Sequence, residues 1–227
     1  MISHQHKCIF IHIPKCAGTS VKYFLYPNQK IDWFEANYEV VHGWCPKRKF
    51  FMQHATAKQL VETGLVTTQQ WESYFKFTFV RNPWDRAISD YFWLQNDRKI
   101  KDNFSNYLDK AGKFKTVLTE TGETHYRGDH LTPQSRFFDE KGTYAVDYMG
   151  RFESFENDMQ HIVKALGIQQ DFDLHINAAR KNRRHYSRYY SDALIAKVAK
   201  LYAADIERFN YQFDDQRKFA DKFRTLK

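Results

Sequence analysis

Short apolar runs separated by helical patterns recur along the chain and predict strands that alternate with helices. The first run is apolar almost without interruption, which suits a strand buried on both faces of a sheet. In the third run, phenylalanine alternates with lysine and threonine, as expected for a strand with two different faces. The predicted strands are Cys8–Ile13, Phe50–Gln53, Tyr74–Val80 and Tyr144–Phe152.

Helices are indicated by apolar residues at helical spacing and by the residues that flank them. Hydroxyl side chains suit an N-cap, proline suits the first turn and glycine suits the residue after the last turn. One predicted helix begins at Thr19 and Ser20. The other predicted helices are Thr56–Glu62, Trp84–Gln95, Ser154–Leu166 and Ser191–Phe209. The segment Gly112–Pro133 is predicted to be mostly loop. This alternation predicts an α/β domain with a mainly parallel sheet, and ligands of such sheets bind beyond the carboxyl ends of the strands.

The composition fits one folded domain over residues 1–227. Because 42% of the residues are apolar and 17% aromatic, burial can offset the ordering entropy, which argues against a disordered chain. No apolar run approaches the ~20 residues that span a bilayer, and the N-terminus lacks the apolar segment of a secretory signal. The three cysteines are few and odd in number, which indicates reduced thiols. We therefore expect a cytoplasmic protein.

The net charge of +8 indicates an anionic partner. A nucleotide, an acidic polymer, a nucleic acid and a membrane surface would all suit this charge. A solvated basic surface without any partner would suit it equally well. Charge alone does not choose among these possibilities, so the choice depends on motifs at the ends of the predicted strands.

The first motif directly follows the first predicted strand and reads His-Ile-Pro-Lys-Cys-Ala-Gly-Thr-Ser. The small residues Ala17 and Gly18 let the backbone approach an anion, and the amides at the helix start point toward it. Thr19 and Ser20 add hydroxyl donors, and Lys15 adds a positive charge. The lysine precedes the glycine, unlike the order G-x-x-x-x-G-K-[ST] of nucleoside-triphosphate loops. The motif predicts a phosphate site; an ordinary strand-to-helix turn is the alternative.

The second motif begins where the third predicted strand ends. Arg81 would stand at the carboxyl edge of the sheet, where its planar guanidinium suits a phosphate. Ser89 would add a neutral donor from the following helix. Asp85, four residues earlier, shares the helix face of Ser89 and would orient a nearby arginine. A capped helix with a surface arginine is the alternative.

Together, Pro14–Ser20 and Arg81–Ser89 resemble the phosphate motifs of the sulfotransferase superfamily. The chain is most similar to its carbohydrate branch, which includes chondroitin, dermatan and heparan 2-O enzymes. The resemblance covers most of the chain, because it extends through His54–Leu60, Leu131–Gln134, Gly150–Glu153 and Tyr189–Phe213. The fold that it implies is a P-loop-like, three-layer α/β domain with a central, mainly parallel sheet flanked by helices.

The resemblance also implies the donor, 3′-phosphoadenosine 5′-phosphosulfate (PAPS). Its 5′-phosphosulfate end would be bound by Lys15, Cys16, Ala17, Gly18, Thr19 and Ser20, and its 3′-phosphate by Arg81 and Ser89. The implied reaction moves a sulfuryl group to a hydroxyl in line with the leaving oxygen. This reaction needs a group that neutralises the leaving phosphate, for which we expect Lys15, and a base that removes the hydroxyl proton.

His54 is the predicted base. It follows the predicted strand Phe50–Gln53 and would therefore emerge at the same sheet edge as Lys15. Histidine accepts a proton near neutral pH, and the resemblance supports this choice, because a related branch has a catalytic histidine in a comparable segment. A structural histidine that caps the next helix is the alternative. The fallback bases are Asp32, Glu35 and His42. His12, inside the first strand, is predicted to be a core histidine.

The expected acceptor is a carbohydrate or another hydroxyl compound. We expect its contacts to come from Asp32–Lys49 and Gly112–Phe138, which carry no recognisable motif. Trp33, Trp44 and Trp93 would suit stacking on sugar rings, although core packing is the alternative. We expect no membrane anchor, which would distinguish the protein from Golgi-type members of the branch. This difference indicates a cytoplasmic, bacterial enzyme and puts a glycosaminoglycan acceptor in doubt.

The remaining expectations concern other ligands and rival functions. No metal is predicted, because no closed set of ligands is visible, and no specific nucleic acid is expected. The basic stretch Arg180–Arg188 would close over the nucleotide, attract an acidic acceptor or be a solvated loop. A phosphate-loop kinase is one rival, but it would need a Walker-type loop. A non-catalytic basic module is another, and it would bind acidic polymer or nucleic acid with steep salt dependence.

Overall fold

A computed structural model of the chain describes residues 1–169, 172 and 184–223. These residues form two compact units. The first unit contains residues 1–80, 122–124, 134–169 and 172, and the second contains residues 81–121, 125–133 and 184–223. A single domain over residues 1–227 stays a prediction. Within the described ranges, every helix is too short or too polar to cross a bilayer.

The described strands all belong to the first unit. They are β1 (Ile2–Ser3), β2 (Cys8–Ile11), β3 (Trp44–Cys45), β4 (Phe50–Phe51), β5 (Phe75–Val80) and β6 (Tyr148–Arg151). The helices are α1 (Gly18–Leu25), α2 (Ala57–Glu62), α3 (Thr68–Ser73), α4 (Pro83–Arg98), α5 (Phe104–Leu108), α6 (Lys115–Thr119), α7 (Phe155–Ala165), α8 (Asp192–Leu201) and α9 (Ala203–Phe209). Of these, α1, α2, α3 and α7 belong to the first unit.

The main sheet of the first unit has the strand order β1-β2-β5-β6. Strands β2, β5 and β6 run parallel, and β1 pairs antiparallel with β2 at one edge. All of β2 is buried, and the rings of Phe10 and Phe77 on neighbouring strands lie 5.1 Å apart. The ring of Phe79 on β5 lies 4.9 Å from that of Phe155 on α7. This architecture confirms the predicted α/β fold with a mainly parallel sheet flanked by helices.

One predicted strand belongs to a different sheet. β4 pairs antiparallel with β3 in a separate two-stranded sheet, and a 3₁₀ helix, Met52–His54, follows it. The expectation that Phe50–Gln53 joins the sheet edge of Lys15 was therefore wrong. The physical reason is local: the two short strands are only a few residues apart, and Lys49, with φ 57°, closes the turn between them.

Capping explains why α2 and α3 begin where they do. Thr56 accepts a hydrogen bond from the Gln59 amide while the Gln59 side chain accepts one from the Thr56 amide, which is a capping box. Thr67 and Gln70 form the same arrangement at α3. The first of these helices confirms the prediction for Thr56–Glu62. The second was not predicted, although it carries the same T-x-x-Q signature.

The second unit is helical and has an aromatic core. Its buried cluster contains Trp84, Ala87, Ile88, Tyr91, Leu94, Phe104, Tyr107, Leu108, Phe114, Val117, Leu118, Leu131, Tyr190, Leu194, Val198 and Tyr202. Two predictions need correction here. Gly112–Pro133 contains α6 and two 3₁₀ helices, since Phe114, Val117 and Leu118 are buried. The predicted helix to Phe209 is divided into α8 and α9 at the buried Tyr202.

Candidate active site

The loop after β2 has a backbone shape that few non-glycine residues adopt. Lys15 and Ala17 have φ values of 67° and 64°, in the left-handed region. Each such residue costs about 1–2 kcal/mol, so the surroundings of the loop must hold its shape. Between them, Cys16 is fully buried, and its amide donates to the carbonyl of Ile13 at 3.2 Å. The first motif is therefore a tight, fixed turn.

The start of α1 has neither a side-chain cap nor an acidic residue in its first turn. Its N-cap residue is Ala17, whose side chain has no oxygen that could accept from the first-turn amides. The first turn contains no acidic residue. The amides of Ser20 and Val21 donate to the carbonyl of Ala17. The positive end of the helix dipole therefore favours an anion at this position, and a phosphate site here stays a prediction.

Gly18 allows the His12 ring to lie against the start of α1. A Cβ atom at position 18 would lie 1.7 Å from Nε2 of His12, so no larger residue fits without movement. The φ of Gly18 is not in the left-handed region, which means that close approach is what requires glycine here. His12 is buried and stacks on Phe10 with ring centroids 5.4 Å apart, as expected for a core histidine.

His54 lies close to the first motif for a reason other than the predicted one. It ends the 3₁₀ helix after β4, and its Nδ1 lies 3.2 Å from the carbonyl oxygen of His12. Because a carbonyl only accepts, Nδ1 carries the hydrogen, and Nε2 of the neutral ring is an acceptor. His54 is only partly buried. The capping alternative does not hold, because Thr56 caps the following helix α2.

Gln134 links a distant segment to the loop. The thiol of Cys16 donates to Oε1 of Gln134 at 3.4 Å, and both side chains are fully buried. Gln134 belongs to Leu131–Gln134, one of the segments on which the family resemblance rests. This contact gives Cys16 a packing role in the first motif.

The residues of the second motif lie in the second unit. Arg81 and Ser89 are both buried. Nε and Nη2 of Arg81 lie 2.8 Å and 2.7 Å from the same carboxylate oxygen of Asp85. Asp85 therefore orients the guanidinium of Arg81 itself. Asn82 caps α4 by accepting from the amide of Trp84, so the motif begins a regular helix. A phosphate role for Arg81 and Ser89 stays a prediction.

A buried network around Asp90 was not identified from the sequence. One carboxylate oxygen of Asp90 lies 2.7 Å from Nδ1 of His130, and the other accepts from the hydroxyl of Tyr107 at 2.7 Å. Nη2 of Arg86 donates to the His130 carbonyl at 2.6 Å. Burial raises the pKa of Tyr107 well above its usual range, so its hydroxyl stays a donor. The one sequence signal was the position of His130 directly before Leu131–Gln134.

The other candidate residues differ in accessibility. His42 is fully buried, and desolvation lowers its pKa to about 3, which does not suit a base near neutral pH. The pKa of Asp32 is lowered by hydrogen bonds from two backbone amides. Trp44 is buried and Trp93 stacks on His130 with ring centroids 4.7 Å apart, whereas Trp33 is exposed. Trp33 is therefore the tryptophan available for stacking.

The basic stretch is described only in part. Arg180, Lys181, Asn182 and Arg183 lie outside the described residues. In the described part, the side chain of His185 caps the 3₁₀ helix Tyr186–Tyr189. Nε of Arg188 lies 3.1 Å from a carboxylate oxygen of Asp221 in the same unit. A role of this stretch in binding donor or acceptor stays a prediction.

Comparisons with known proteins point to one family. The family model described as the sulfotransferase family matches residues 1–212. The chain is 26% identical over 245 aligned positions to carbohydrate sulfotransferase 10 of Danio rerio, covering 92% of this chain and 65% of that protein. The protein of the same name from Gallus gallus is 24% identical over 251 positions, covering 94% and 66%. The chain thus spans about two thirds of the length of these relatives.

One further relative is archaeal. An uncharacterized protein of Archaeoglobus fulgidus is 28% identical over 112 residues, which cover 48% of this chain and 80% of that protein. No solved structure matches the chain significantly. The residues that the family model matches, 1–212, include both motifs.

Proposed function

Because the chain belongs to the sulfotransferase family, we propose that it transfers a sulfuryl group from PAPS to a hydroxyl of a carbohydrate. Membership of the family supports PAPS as the donor. The relatives named carbohydrate sulfotransferase 10 support a carbohydrate acceptor. The single observation that carries the mechanism is the hydrogen bond between Nδ1 of His54 and the carbonyl of His12, beside the phosphate loop.

The first motif would hold the 5′-phosphosulfate, and Arg81 and Ser89 the 3′-phosphate. The acceptor oxygen forms a bond to sulfur while the bond from sulfur to the bridging oxygen breaks. The electron pair leaves with 3′,5′-adenosine bisphosphate. Negative charge therefore grows on the leaving phosphate, where Lys15 and the amides at the start of α1 stabilise it. In this mechanism, these groups stabilise the negative charge of the leaving phosphate, and no metal ion is required for it.

His54 would remove the proton of the acceptor hydroxyl through Nε2. The His12 carbonyl supports this role in two ways. It holds the proton of the neutral ring on Nδ1, which keeps Nε2 basic. The hydrogen bond to this carbonyl also becomes stronger when the His54 ring gains a proton, since hydrogen bonds from charged donors are stronger. Cytoplasmic location and bacterial origin stay expectations from the sequence.

The base assignment is tested by His54→Gln. We expect turnover to fall by about 10²–10⁴, the usual contribution of a general base. Binding of 3′,5′-adenosine bisphosphate should stay unchanged, because the substitution removes only the base and keeps a polar side chain. His161→Gln is a matched control, because His161 is an exposed histidine of the same unit, on α7. Full turnover in the His54 variant would contradict the assignment.

The donor assignment is tested by calorimetric binding of 3′,5′-adenosine bisphosphate, 5′-AMP and ATP without magnesium. A phosphate-binding second motif predicts a preference of roughly tenfold or more for the bisphosphate over 5′-AMP. Preference for ATP would favour the kinase alternative. Equal binding of all three, with steep salt dependence, would favour the basic-module alternative.

A further inference from the structure

Exposed aromatic residues are concentrated in one short segment of the first unit. In the described part of the chain, the exposed large hydrophobic side chains are Tyr23, Trp33, Phe34, Tyr38, Leu201 and Phe219. Four of these six are aromatic residues within α1 or the segment that follows it. Trp33, Phe34 and Tyr38 are 40%, 51% and 49% exposed, and we call these three the aromatic face. Three exposed aromatic side chains in one short segment suit contact with another molecule.

The aromatic face is held in place by buried neighbours. Nζ of Lys22, a buried lysine, lies 4.3 Å from the ring centroid of Trp33, and the His42 ring centroid lies 4.8 Å from it. Two contacts of Asp32 hold the backbone next to Trp33. The Asp32 carboxylate accepts from the Phe34 amide at 2.6 Å, and the Asp32 carbonyl oxygen lies 3.1 Å from Nδ1 of His42. A fixed surface loses less conformational entropy when it binds a ligand.

The segment that carries the aromatic face is attached to the residues that carry His54. The Gly43 amide donates to Oε1 of Gln53 at 2.9 Å, and the Met52 amide donates to the Gly43 carbonyl at 2.9 Å. Gln53 and Met52 directly precede His54 in the 3₁₀ helix. An acceptor bound to the aromatic face would therefore be held by a segment that is hydrogen-bonded to the 3₁₀ helix of the proposed base, His54.

The charge of this segment distinguishes between kinds of acceptor. Residues 31–44 contain Asp32, Glu35 and Glu39 but no lysine or arginine, although the whole chain has a net charge of +8. All three acidic residues are exposed. His42 does not offset them, because burial lowers its pKa to about 3. Lys22 brings a positive charge to the ring of Trp33, but its side chain is buried, whereas the three carboxylates are exposed. The exposed carboxylates disfavour a polyanionic chain, and the hydroxyl groups of a sugar donate readily to them.

We propose that the aromatic face binds an uncharged sugar ring of the acceptor. The C–H face of the sugar lies on the indole of Trp33, and hydroxyls on the sugar rim donate to exposed carboxylates such as Glu35. The proposal rests on the proposed function, since it assigns the acceptor of the same reaction. It makes the acceptor a neutral saccharide rather than a sulfated or uronate-containing polymer.

Tryptophan fluorescence tests the proposal without nucleotide. All five tryptophans lie among the described residues, and of these Trp33 alone is exposed. The neutral probes are maltohexaose, cellohexaose and fully N-acetylated chitohexaose, and the anionic probe is unsulfated chondroitin hexasaccharide. We expect at least one neutral probe to protect Trp33 from acrylamide quenching, and the anionic probe to give no protection.

Two sets of variants accompany this measurement. Trp33→Ala should weaken binding of the protecting saccharide, followed by calorimetry, roughly tenfold. Phe219→Ala is the matched control, because Phe219 is 78% exposed and belongs to the second unit. Glu35→Lys combined with Glu39→Lys should shift the preference toward the chondroitin probe. All these positions are exposed, so circular dichroism should report an unchanged fold.

Three outcomes overturn the proposal: protection by the chondroitin probe alone, protection by none of the four saccharides, or unchanged binding in Trp33→Ala. Because no nucleotide is present, these outcomes are independent of the titration of adenosine bisphosphate. A failed titration would contradict the proposed function, whereas a failed protection experiment with intact bisphosphate preference would contradict only the acceptor assignment.

Discussion

The two motifs proposed to bind anions are built in opposite ways. The first presents main-chain groups, in a loop where Lys15 and Ala17 have positive φ values. The second presents the side chains of Arg81 and Ser89 at a helix in which no residue from 81 to 98 has a positive φ. A main-chain site depends on backbone shape and therefore on residue size. A side-chain site depends on the identity of a few residues.

The motifs also differ in the charge that surrounds them before a ligand binds. Asp85 contacts two nitrogens of Arg81, so the positive charge of this guanidinium is partly balanced. The first turn of α1 has no acidic residue, so its dipole is not offset in this way. We therefore expect the first motif to contribute mainly to turnover and the second mainly to nucleotide selectivity. Substitutions can test this division.

Among substitutions in the two motifs, the largest effect is expected from Lys15→Met, which removes the charge but keeps the side-chain length. Turnover with PAPS and a hydroxyl acceptor should fall by about 10²–10³, because the leaving phosphate loses a preorganised partner. Lys49→Met is the matched control, since Lys49 is exposed and also has a positive φ, 57°. Steady-state kinetics measure both variants, and equal losses would show that backbone strain rather than charge is responsible.

A smaller effect is expected from Arg81→Ala, and it should appear in selectivity. The preference for 3′,5′-adenosine bisphosphate over 5′-AMP should fall roughly tenfold or more, since a charge-assisted hydrogen bond contributes about 1.5–3 kcal/mol. The substitution also leaves Asp85 without its partner. The double variant Arg81→Ala with Asp85→Ala should recover stability but not selectivity. If calorimetry finds that Arg81→Ala keeps the preference for the bisphosphate, this would contradict the proposed division between the motifs.

The smallest effect is expected from Gly18→Ala, and it concerns stability. The new Cβ would lie 1.7 Å from Nε2 of His12, so the ring or the helix start must move. Overpacking of this kind costs about 1–3 kcal/mol in the free energy of unfolding. His12→Ala in the same chain should recover part of the loss, because it removes the ring. Urea unfolding measures all three chains; an unchanged midpoint for Gly18→Ala would mean that the ring moves freely.

Features that are local in the chain could be predicted from the sequence. β2, the loop and α1 follow one another within residues 8–25, so the apolar run and the small residues were sufficient. The start of α2 was predictable from Thr56, because a capping box involves residues only three apart. The same signal at Thr67 and Gln70 could have identified α3. These features depend on sequence neighbours rather than on tertiary packing.

Features that depend on long-range contacts could not be predicted in this way. The sequence places His54 near the loop, but the reason, a shared sheet edge, is wrong, because β4 pairs with β3. The contact that positions His54 joins it to His12, 42 residues away. Asp90 and His130 are 40 residues apart. No periodicity or spacing within one element encodes such pairs, and the division of the last helix at Tyr202 also depends on burial in a distant core.

The parallel pairing of β5 with β6 has a consequence for how the chain comes to be folded. Phe77 pairs with Tyr148, which is 71 residues later in the chain. Contacts over such separations form slowly, because a long loop must close first. On a ribosome, β5 is therefore complete long before its partner strand has been synthesised. Until then its open edge, rich in phenylalanine, is a surface on which another nascent copy could add a strand.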